Sequence, residues 1–366
     1  MDVDVKPLRV ELGNRSYHVY VGQGLIRRTG ELIKENLHSA GRCAVITNEE
    51  IHRLHGSPLM ASLEKAGFDA ELILVPDGEE AKSWDVAGSL LGELVDLGLD
   101  RKSVVIAFGG GAVGDVAGFV ASIYLRGVKL VQVPTTLLSL VDSSIGGKAA
   151  VNHPKGKNLI GAFHQPSVVV ADPRLLGTLP QRELISGLGE VVKYGVIADS
   201  EIFNILEKKS ANVLRKEMDV LVDVISRCCA IKARLVELDE RDTAGLRAAL
   251  NYGHTVGHAL EVLTHLMMGH GEAVAVGMNV AAQISSSLGL IGEADVERQR
   301  RLLRRLGLET ELPNVVSSKL LEAMHRDKKV ERDTVRFVLP TGIGSSPILK
   351  AVHDNLIRQV LEEGDV

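Results

Sequence analysis

The sequence predicts an α/β N-terminal domain with a mostly parallel nucleotide-binding sheet, followed by a mainly α-helical C-terminal domain. Three observations carry that prediction. Up to about residue 175, short β-branched runs alternate with helical stretches, the order that builds a parallel layer. The runs are almost continuously apolar, as strands covered on both faces are. From about Gln181 onward nearly every segment is helix-like, and Gly or Pro separates several of them. The loop DPRLLGTLPQRE, with Pro173 and Pro180, marks the change, so the expected domains are 1–178 and 179–366.

Taken in order, CAVIT (43–47), ELILV (71–75), SVVIAF (103–108), KLVQVP (129–134) and SVVVA (167–171) are the expected strands. MASLEKAG (60–67) and WDVAGSLLGELVDLG (84–98) are helices that run into a glycine where a C-cap belongs. In PDGEEAKSW (76–84), Glu79 and Lys82 cap or begin a helix. Helices are then expected at 181–196, 200–238, 251–264, 271–288, 293–306 and 317–326, with one late strand-like run, VRFVLPTGIG (335–344). The arginine-rich RQRRLLRR (298–305) follows Glu293, Asp295 and Glu297 and reads as a solvated amphipathic helix.

Composition excludes several classes. A chain of 366 residues with 45% hydrophobic residues buries enough apolar surface to fold without staples, which excludes disorder as its main state. The balance of 42 basic against 47 acidic residues, net −5, gives no global attraction to nucleic acid or an anionic membrane. Aromatic residues, at 3%, offer little for stacking single-stranded bases. Cys43, Cys228 and Cys229 form no disulfide framework, and reduced thiols fit a cytoplasmic protein. No apolar run approaches the roughly 18 residues of a membrane span, and MDVDVKPLRV lacks the apolar core of an export signal.

Three regions hold chemistry. In SVVIAFGGGAVGDVAG, Gly109, Gly111 and Gly114 have the G-x-G-x-x-G spacing between a strand and a helix. Close backbone approach and free N–H groups at a helix start suit a phosphate. The usual dinucleotide layout nevertheless fails, because KLVQVP ends without the acid that would hold a ribose. A nucleotide would have to be held by several successive loops. Next, residues 133–166 thread Thr135, Thr136, Asp142, Ser143, Ser144, Lys148, Asn152, Lys157 and Asn158 between apolar residues and glycines. Lining a binding site reconciles those two characters, and Lys148, Lys157 and Arg126 suit an anionic substrate; two solvent-facing lysines on an ordinary loop are the plainer alternative.

The third region is a set of histidines. Four of the twelve lie in LNYGHTVGHALEVLTHLMMGHGEAVAVGM. His254 and His258 share a helical face at metal-ligand spacing, and His270 and Glu272 open the following helix. Spacing does not say which histidines ligate and which would act as acid or base. In PQRELISGLGEVVKYGVI (180–197), Glu190 and Lys193 sit three apart beside Gly187 and Gly189. Glu190 suits a metal and Lys193 an anion, against the alternative of an exposed ion pair. Lys232 and Arg234 precede this region, and Arg247 and Asn251 are expected on the same helix as His254. HRDKKVERD (325–333) adds Lys328 and Lys329.

Seven blocks in order resemble the 3-dehydroquinate synthase family of the sugar-phosphate cyclases: DGEEAKS, GGGAVGD, the stretch RGVKLVQVPTTLLSLVDSSIGGKAAVNHPKGKNLIGAFHQP, ELISGLGEVVKYG, LNYGHTVGHALE, HGEAVAVGM and RDKKV. The resemblance implies conversion of 3-deoxy-D-arabino-heptulosonate 7-phosphate to 3-dehydroquinate and phosphate, in the shikimate route to aromatic amino acids. It implies transient NAD-dependent oxidation at C5, β-elimination of phosphate, re-reduction, ring opening and aldol closure, with a divalent metal, zinc or cobalt. Carried over residue by residue, the metal ligands are Glu190, His254 and His270, and His258 becomes a non-ligand active-site group. NAD contacts fall on Asn48, Glu79, Lys82, Gly109, Gly110, Gly111, Gly114, Asp115, Thr135, Thr136, Lys157 and Thr178. Asn48 stands where some members have aspartate. Substrate and catalytic groups fall on Asp142, Lys148, Asn158, Lys193, Lys232, Arg247, Asn251 and one of Lys328 and Lys329. Arg126 is expected to reach the substrate phosphate of a neighbouring subunit in a homodimer. The rivals are a deoxy-inosose or valiolone-type cyclase, a metal-dependent polyol dehydrogenase that releases NADH, and an inactive NAD-binding scaffold.

Overall fold

The computed structural model describes residues 6–37, 41–264, 267–313, 315–327 and 333–363. Lys328, Lys329 and His265 lie outside them. The chain forms two compact units, one of residues 1–179 with 221–241 and one of 180–220 with 242–366.

The first unit is a seven-stranded sheet. Its strands are β1 (Leu8–Val10), β2 (Tyr17–Val21), β3 (Arg42–Thr47), β4 (Asp69–Leu74), β5 (Val104–Gly109), β6 (Lys129–Pro134) and β9 (Val168–Ala171), in the order β1-β2-β9-β6-β5-β3-β4. Only the β1–β2 pair is antiparallel; every other neighbour is parallel. The apolar strands are apolar because both faces are covered. One face packs on α1 (Thr29–Asn36) and on the run from α2 (Glu49–Ile51) through a wide turn into α3 (Ser57–Lys65), through Leu32, Ile33, Leu59, Leu63 and the outward residues of β3, β5 and β6. The other packs on α4 (Trp84–Asp96) and α5 (Gly111–Ile123), through Leu90, Leu94, Val116 and Val120. β1 and β2 are additions to the expected strands; their signal is the short alternation of Tyr17 and Val19, buried, with half-exposed His18.

The polar stretch after β6 is more ordered than a loop. β7 (Lys148–His153) and β8 (Gly156–Phe163) form an antiparallel hairpin, with a wide, π-helical turn at Ser139–Ser143 before it. Its glycines serve close pairing: a Cβ on Gly161 would sit 2.6 Å from the Ala149 carbonyl oxygen.

The second unit is helical: α6 (Gln181–Ile197), α7 (Ser200–Leu214), α9 (His254–Leu263), α10 (His270–Ser287), α11 (Glu293–Arg305), α12 (Ser317–Asp327) and α13 (Asp354–Glu363), with the ribbon β10 (Thr334–Leu339) and β11 (Ile348–His353). Between α7 and α9 lies α8 (Met218–Leu238). The expected single helix 200–238 is two, because Lys216 turns left-handed (φ 58) and Glu217 N–H closes on Asn212 O. Residues 221–241, which the sequence reading gives to the second half, pack with the first unit, where Cys229 Sγ meets Leu140 O. Arg247 and Asn251 are not on the helix of His254. They occupy a 3-10 turn, Leu246–Asn251, that Gly253 (φ 81) separates from α9. The arginine-rich helix α11 behaves as read: Val296, Leu302 and Leu303 are buried, while Arg298 pairs with Glu207 and Arg304 with Glu311. No described helix is long and apolar enough to cross a membrane.

Candidate functional site

In the second unit three helix positions converge. Glu190 lies in mid-α6, His254 opens α9 and His270 opens α10. Their candidate ligand atoms all lie within 4.8 Å of one another. Glycines make the approach possible, since a Cβ on Gly189 would come 2.6 Å from Gly271 O, and one on Gly271 only 1.7 Å from Ser186 O. Arg182, one side of the same α6 face, donates to both Glu272 oxygens at 3.1 Å, and Glu272 in turn accepts from Gly269 N–H at 2.7 Å. Ser186 Oγ accepts from Gly271 N–H at 3.0 Å. The start of α10, and so His270, is tied to α6 by these bonds.

Glu190 is 1% exposed, so the exposed-ion-pair alternative is excluded. Its Oε2 contacts the ammonium of Lys193, also 1% exposed. Its Oε1 lies 3.5 Å from His254 Nε2 and 3.4 Å from His270 Nε2. Those separations are long for hydrogen bonds. They match the roughly 3.4 Å edge between ligands that hold a tetrahedral cation by bonds of about 2.1 Å. Burial alone would raise the Glu190 carboxyl, but Lys193 and the two histidines outweigh it and hold it well below the usual range. Burial pushes His254 down to about 3, against the attraction of Glu190. His270 goes the other way, up to about 10: burial opposes its charge, and the carboxylates of Glu190 and Glu261 that face its two ring nitrogens overcome that. A buried site that draws a proton onto an imidazole is short of positive charge. A carboxylate and two imidazoles in this arrangement fit a divalent cation such as zinc or cobalt. Each ring is also oriented from behind, since Tyr252 O faces His254 Nδ1 at 3.1 Å and Glu261 Oε2 faces His270 Nδ1 at 3.4 Å. His258 meets His254 edge to face, the ring centroids 5.2 Å apart. Arg247 is buried on the preceding turn and Asn251 is exposed there.

The first unit gathers the nucleotide candidates. β5 delivers Gly109, and Gly110 begins α5, so the glycine loop does open a helix. Lys82, 5% exposed, donates to Asp115 Oδ2 and to Asn158 Oδ1, both at 2.6 Å. Asn152 donates to Glu79 at 2.7 Å. Glu79 and Lys82 lie in a short 3-10 helix of their own, Gly78–Lys82, and Ser83 is the N-cap of α4, accepting from Val86 N–H. Asn48 caps α2 and donates to Asp77 Oδ1 at 2.6 Å. The Thr135 hydroxyl is buried without a hydrogen-bond partner, while Thr136 bonds Ser139 and Thr178 bonds His55. Asp142 meets Lys232 at 2.7 Å. Lys148, Lys157 and Arg126 are exposed.

Sequence reasoning passed over Glu261, Asp77 and His55. Glu261 had a signal, because it stands seven residues after His254 and three after His258, on the same face of α9.

The family model described as 3-dehydroquinate synthase N-terminal matches residues 72–186, and that described as 3-dehydroquinate synthase C-terminal matches 187–330. The chain is 46% identical to the 3-dehydroquinate synthase of Thermodesulfovibrio yellowstonii over 362 residues, 98% of this chain and all of that one. It is similar in structure to a 2-deoxy-scyllo-inosose synthase complexed with carbaglucose-6-phosphate, NAD+ and Co2+ (TM-score 0.87, 28% identity, 98% of this chain and 100% of that one). It is equally similar to a 2-epi-5-epi-valiolone synthase from Streptomyces hygroscopicus subsp. jinggangensis with NAD+ and Zn2+ bound (TM-score 0.88, 27% identity, 99% of each chain).

Proposed function

The chain belongs to the 3-dehydroquinate synthase family, and we propose that its own residues carry that family's reaction, from 3-deoxy-D-arabino-heptulosonate 7-phosphate to 3-dehydroquinate and phosphate, in the following way. The observation that carries the reading is the buried convergence of Glu190, His254 and His270 in a chain that matches the family along nearly its whole length. When bound, NAD supplies a reversible hydride acceptor, and a divalent cation held by those three residues stabilises negative charge on substrate hydroxyl oxygens.

The division of labour is residues 1–178 for NAD, with Arg126, Asp142, Lys148 and Asn158 turned to the substrate, and 179–366 for the metal and the remaining substrate contacts. Asn48, Glu79, Lys82, Gly109–Gly111, Gly114, Asp115, Thr135, Thr136, Lys157 and Thr178 hold the dinucleotide. What supports this is the glycine loop at the start of α5, the unpartnered Thr135 hydroxyl, and the Lys82–Asp115–Asn158 cluster beside them. Lys193 and Arg247 are buried cations, and a buried cation gains most by meeting an anionic substrate. Lys148, Asn158, Lys232, Asn251 and a lysine of the pair Lys328/Lys329 complete the recognition of carboxylate, hydroxyls and phosphate. Asp142 orients Lys232 through their 2.7 Å contact. His258, half-buried beside the metal ligands, moves a proton to or from a substrate oxygen. Arg126 serves the phosphate site of a second copy in a homodimer. That role is supported by its exposure and by the left-handed turn at Leu125 and Arg126 (φ 48 and 68), which leaves Leu125 39% and Ile123 41% exposed. Three buried free thiols suit the cytoplasm.

The test is turnover of the heptulosonate phosphate with the product identified by mass. Stoichiometric phosphate and 3-dehydroquinate with no NADH accumulating are expected; steady NADH build-up, or no phosphate released, would defeat the reading.

A further inference from the structure

We infer that Glu261 is the positioning residue that fixes His270 as a metal ligand, an inference that rests on the metal centre proposed above. The His270 ring stands between two carboxylates: Nε2 is 3.4 Å from Glu190 Oε1 and Nδ1 is 3.4 Å from Glu261 Oε2. An imidazole that ligates through Nε2 must keep its proton on Nδ1, and whatever faces Nδ1 decides whether it does. An ionised carboxylate only accepts, so Glu261 selects the Nδ1–H tautomer and leaves the Nε2 lone pair for the cation.

The two histidine ligands differ in this respect. Behind His254 stands a neutral acceptor, the Tyr252 carbonyl at 3.1 Å, whereas behind His270 stands a full negative charge. That charge is 7% exposed, and burying a carboxylate is unfavourable unless a partner draws it in. Helix periodicity puts it there. Glu261 follows His254 by two turns of α9, and α9 lies close on α10, where a Cβ on Gly257 would come 3.2 Å from Val274 Cα. With Glu190, Glu261 places a carboxylate at each nitrogen of the His270 ring. Glu261 therefore strengthens the centre's demand for a dication as well as orienting its ligand.

Glu261→Gln keeps the size and an acceptor oxygen but removes the charge. Zinc affinity, measured by competition with a chromophoric chelator in the absence of substrate and NAD, is expected to fall about 10–100-fold. The circular dichroism of the metal-free protein should stay as in wild type, with its melting lowered by no more than the lost His270–Glu261 attraction accounts for. Glu190→Gln is run beside it. If wild type binds no zinc, or Glu190→Gln binds it as wild type does, the metal centre itself is wrong and this inference falls with it. If Glu190→Gln loses zinc while Glu261→Gln stays within about threefold of wild type, short of that range, the centre stands and Glu261 has no positioning role. Nitrogen-15 NMR of zinc-loaded wild type reads the same point if Glu261→Gln does not fold. A protonated Nδ1 and a ligated Nε2 at His270 are expected, and a ligated Nδ1 overturns the inference.

Discussion

The glycines of the loop after β5 and the glycines where α6, α9 and α10 meet occupy opposite surroundings. A Cβ would meet only side chains in the first set: Val113 at 2.8 Å from Gly109, Thr136 Cγ2 at 3.1 Å from Gly110, Ser143 Oγ at 3.3 Å from Gly111 and Gln132 Oε1 at 3.0 Å from Gly114. In the second set it would strike backbone, at 1.7 Å from Ser186 O for Gly271, 1.9 Å from Gly253 O for Gly277 and 2.6 Å from Gly271 O for Gly189. One set keeps a loop lean beside a helix start; the other has its space consumed by helices in contact. Charge follows the same division. Lys82 has Asp115 and Asn158 in hydrogen-bond range, whereas Glu190 sits at distances that suit a cation better than the imidazoles facing it. In the first region the charged side chain is already met by neighbours, with the Thr135 hydroxyl left over, and the second has the stronger call on a group from outside.

The largest effect that tests this contrast is Glu190→Gln. The change leaves the buried Lys193 ammonium facing an amide, and breaking a buried pair from one side costs about 3–5 kcal/mol. Urea unfolding of the chelator-treated protein should show that loss, and zinc should no longer stabilise the variant as it stabilises wild type. A variant as stable as wild type, with zinc still raising its midpoint, would mean that Glu190 is neither a structural anion nor a ligand.

Gly271→Ala comes next. Backbone cannot step aside as a side-chain tip does, so α10 must shift from α6, at a cost of roughly 1–3 kcal/mol or somewhat more. Because His270 precedes Gly271, the shift also separates His270 from Glu190, and zinc affinity should fall with stability. Stability lost with zinc affinity intact would separate the helix contact from the metal centre.

The contrast also explains what was legible in the sequence. The parallel strands were, because burial on both faces writes continuous β-branched runs such as Val104–Phe108. The loop glycines were, because their spacing repeats a phosphate-binding pattern. Gly189, Gly271 and Gly277 carry no such pattern, since each belongs to a different local contact and only the folded chain brings them together. The β7–β8 hairpin was hidden for a related reason: only Ala149 and Val151 of β7 are buried and no residue of β8 is, so neither strand writes an apolar run. The ligand residues could be named from residue type and from family resemblance, but the role of Glu261 needed the α9–α10 contact. The break before His254 likewise depends on Gly253 turning left-handed, which a helical run of apolar residues does not announce.

The smallest structural effect is the sharpest test of the comparison. At Gly111 the nearest atom to an added Cβ is Ser143 Oγ at 3.3 Å, the end of a side chain that can rotate, and the position opens a helix where alanine is favourable. Gly111→Ala should therefore melt within about 0.5 kcal/mol of wild type, as surface changes away from packed features do. If the loop approaches a pyrophosphate by its backbone, the new methyl group intrudes where the phosphate oxygens come closest, and NAD affinity by calorimetry should fall at least about tenfold, or about 1.4 kcal/mol. An affinity equal to that of wild type would make this loop a tight turn like any other, and its glycines would then differ from those of α10 in degree rather than in purpose. A large drop in stability would be equally damaging, because it would show that the loop's space is already filled by the protein itself.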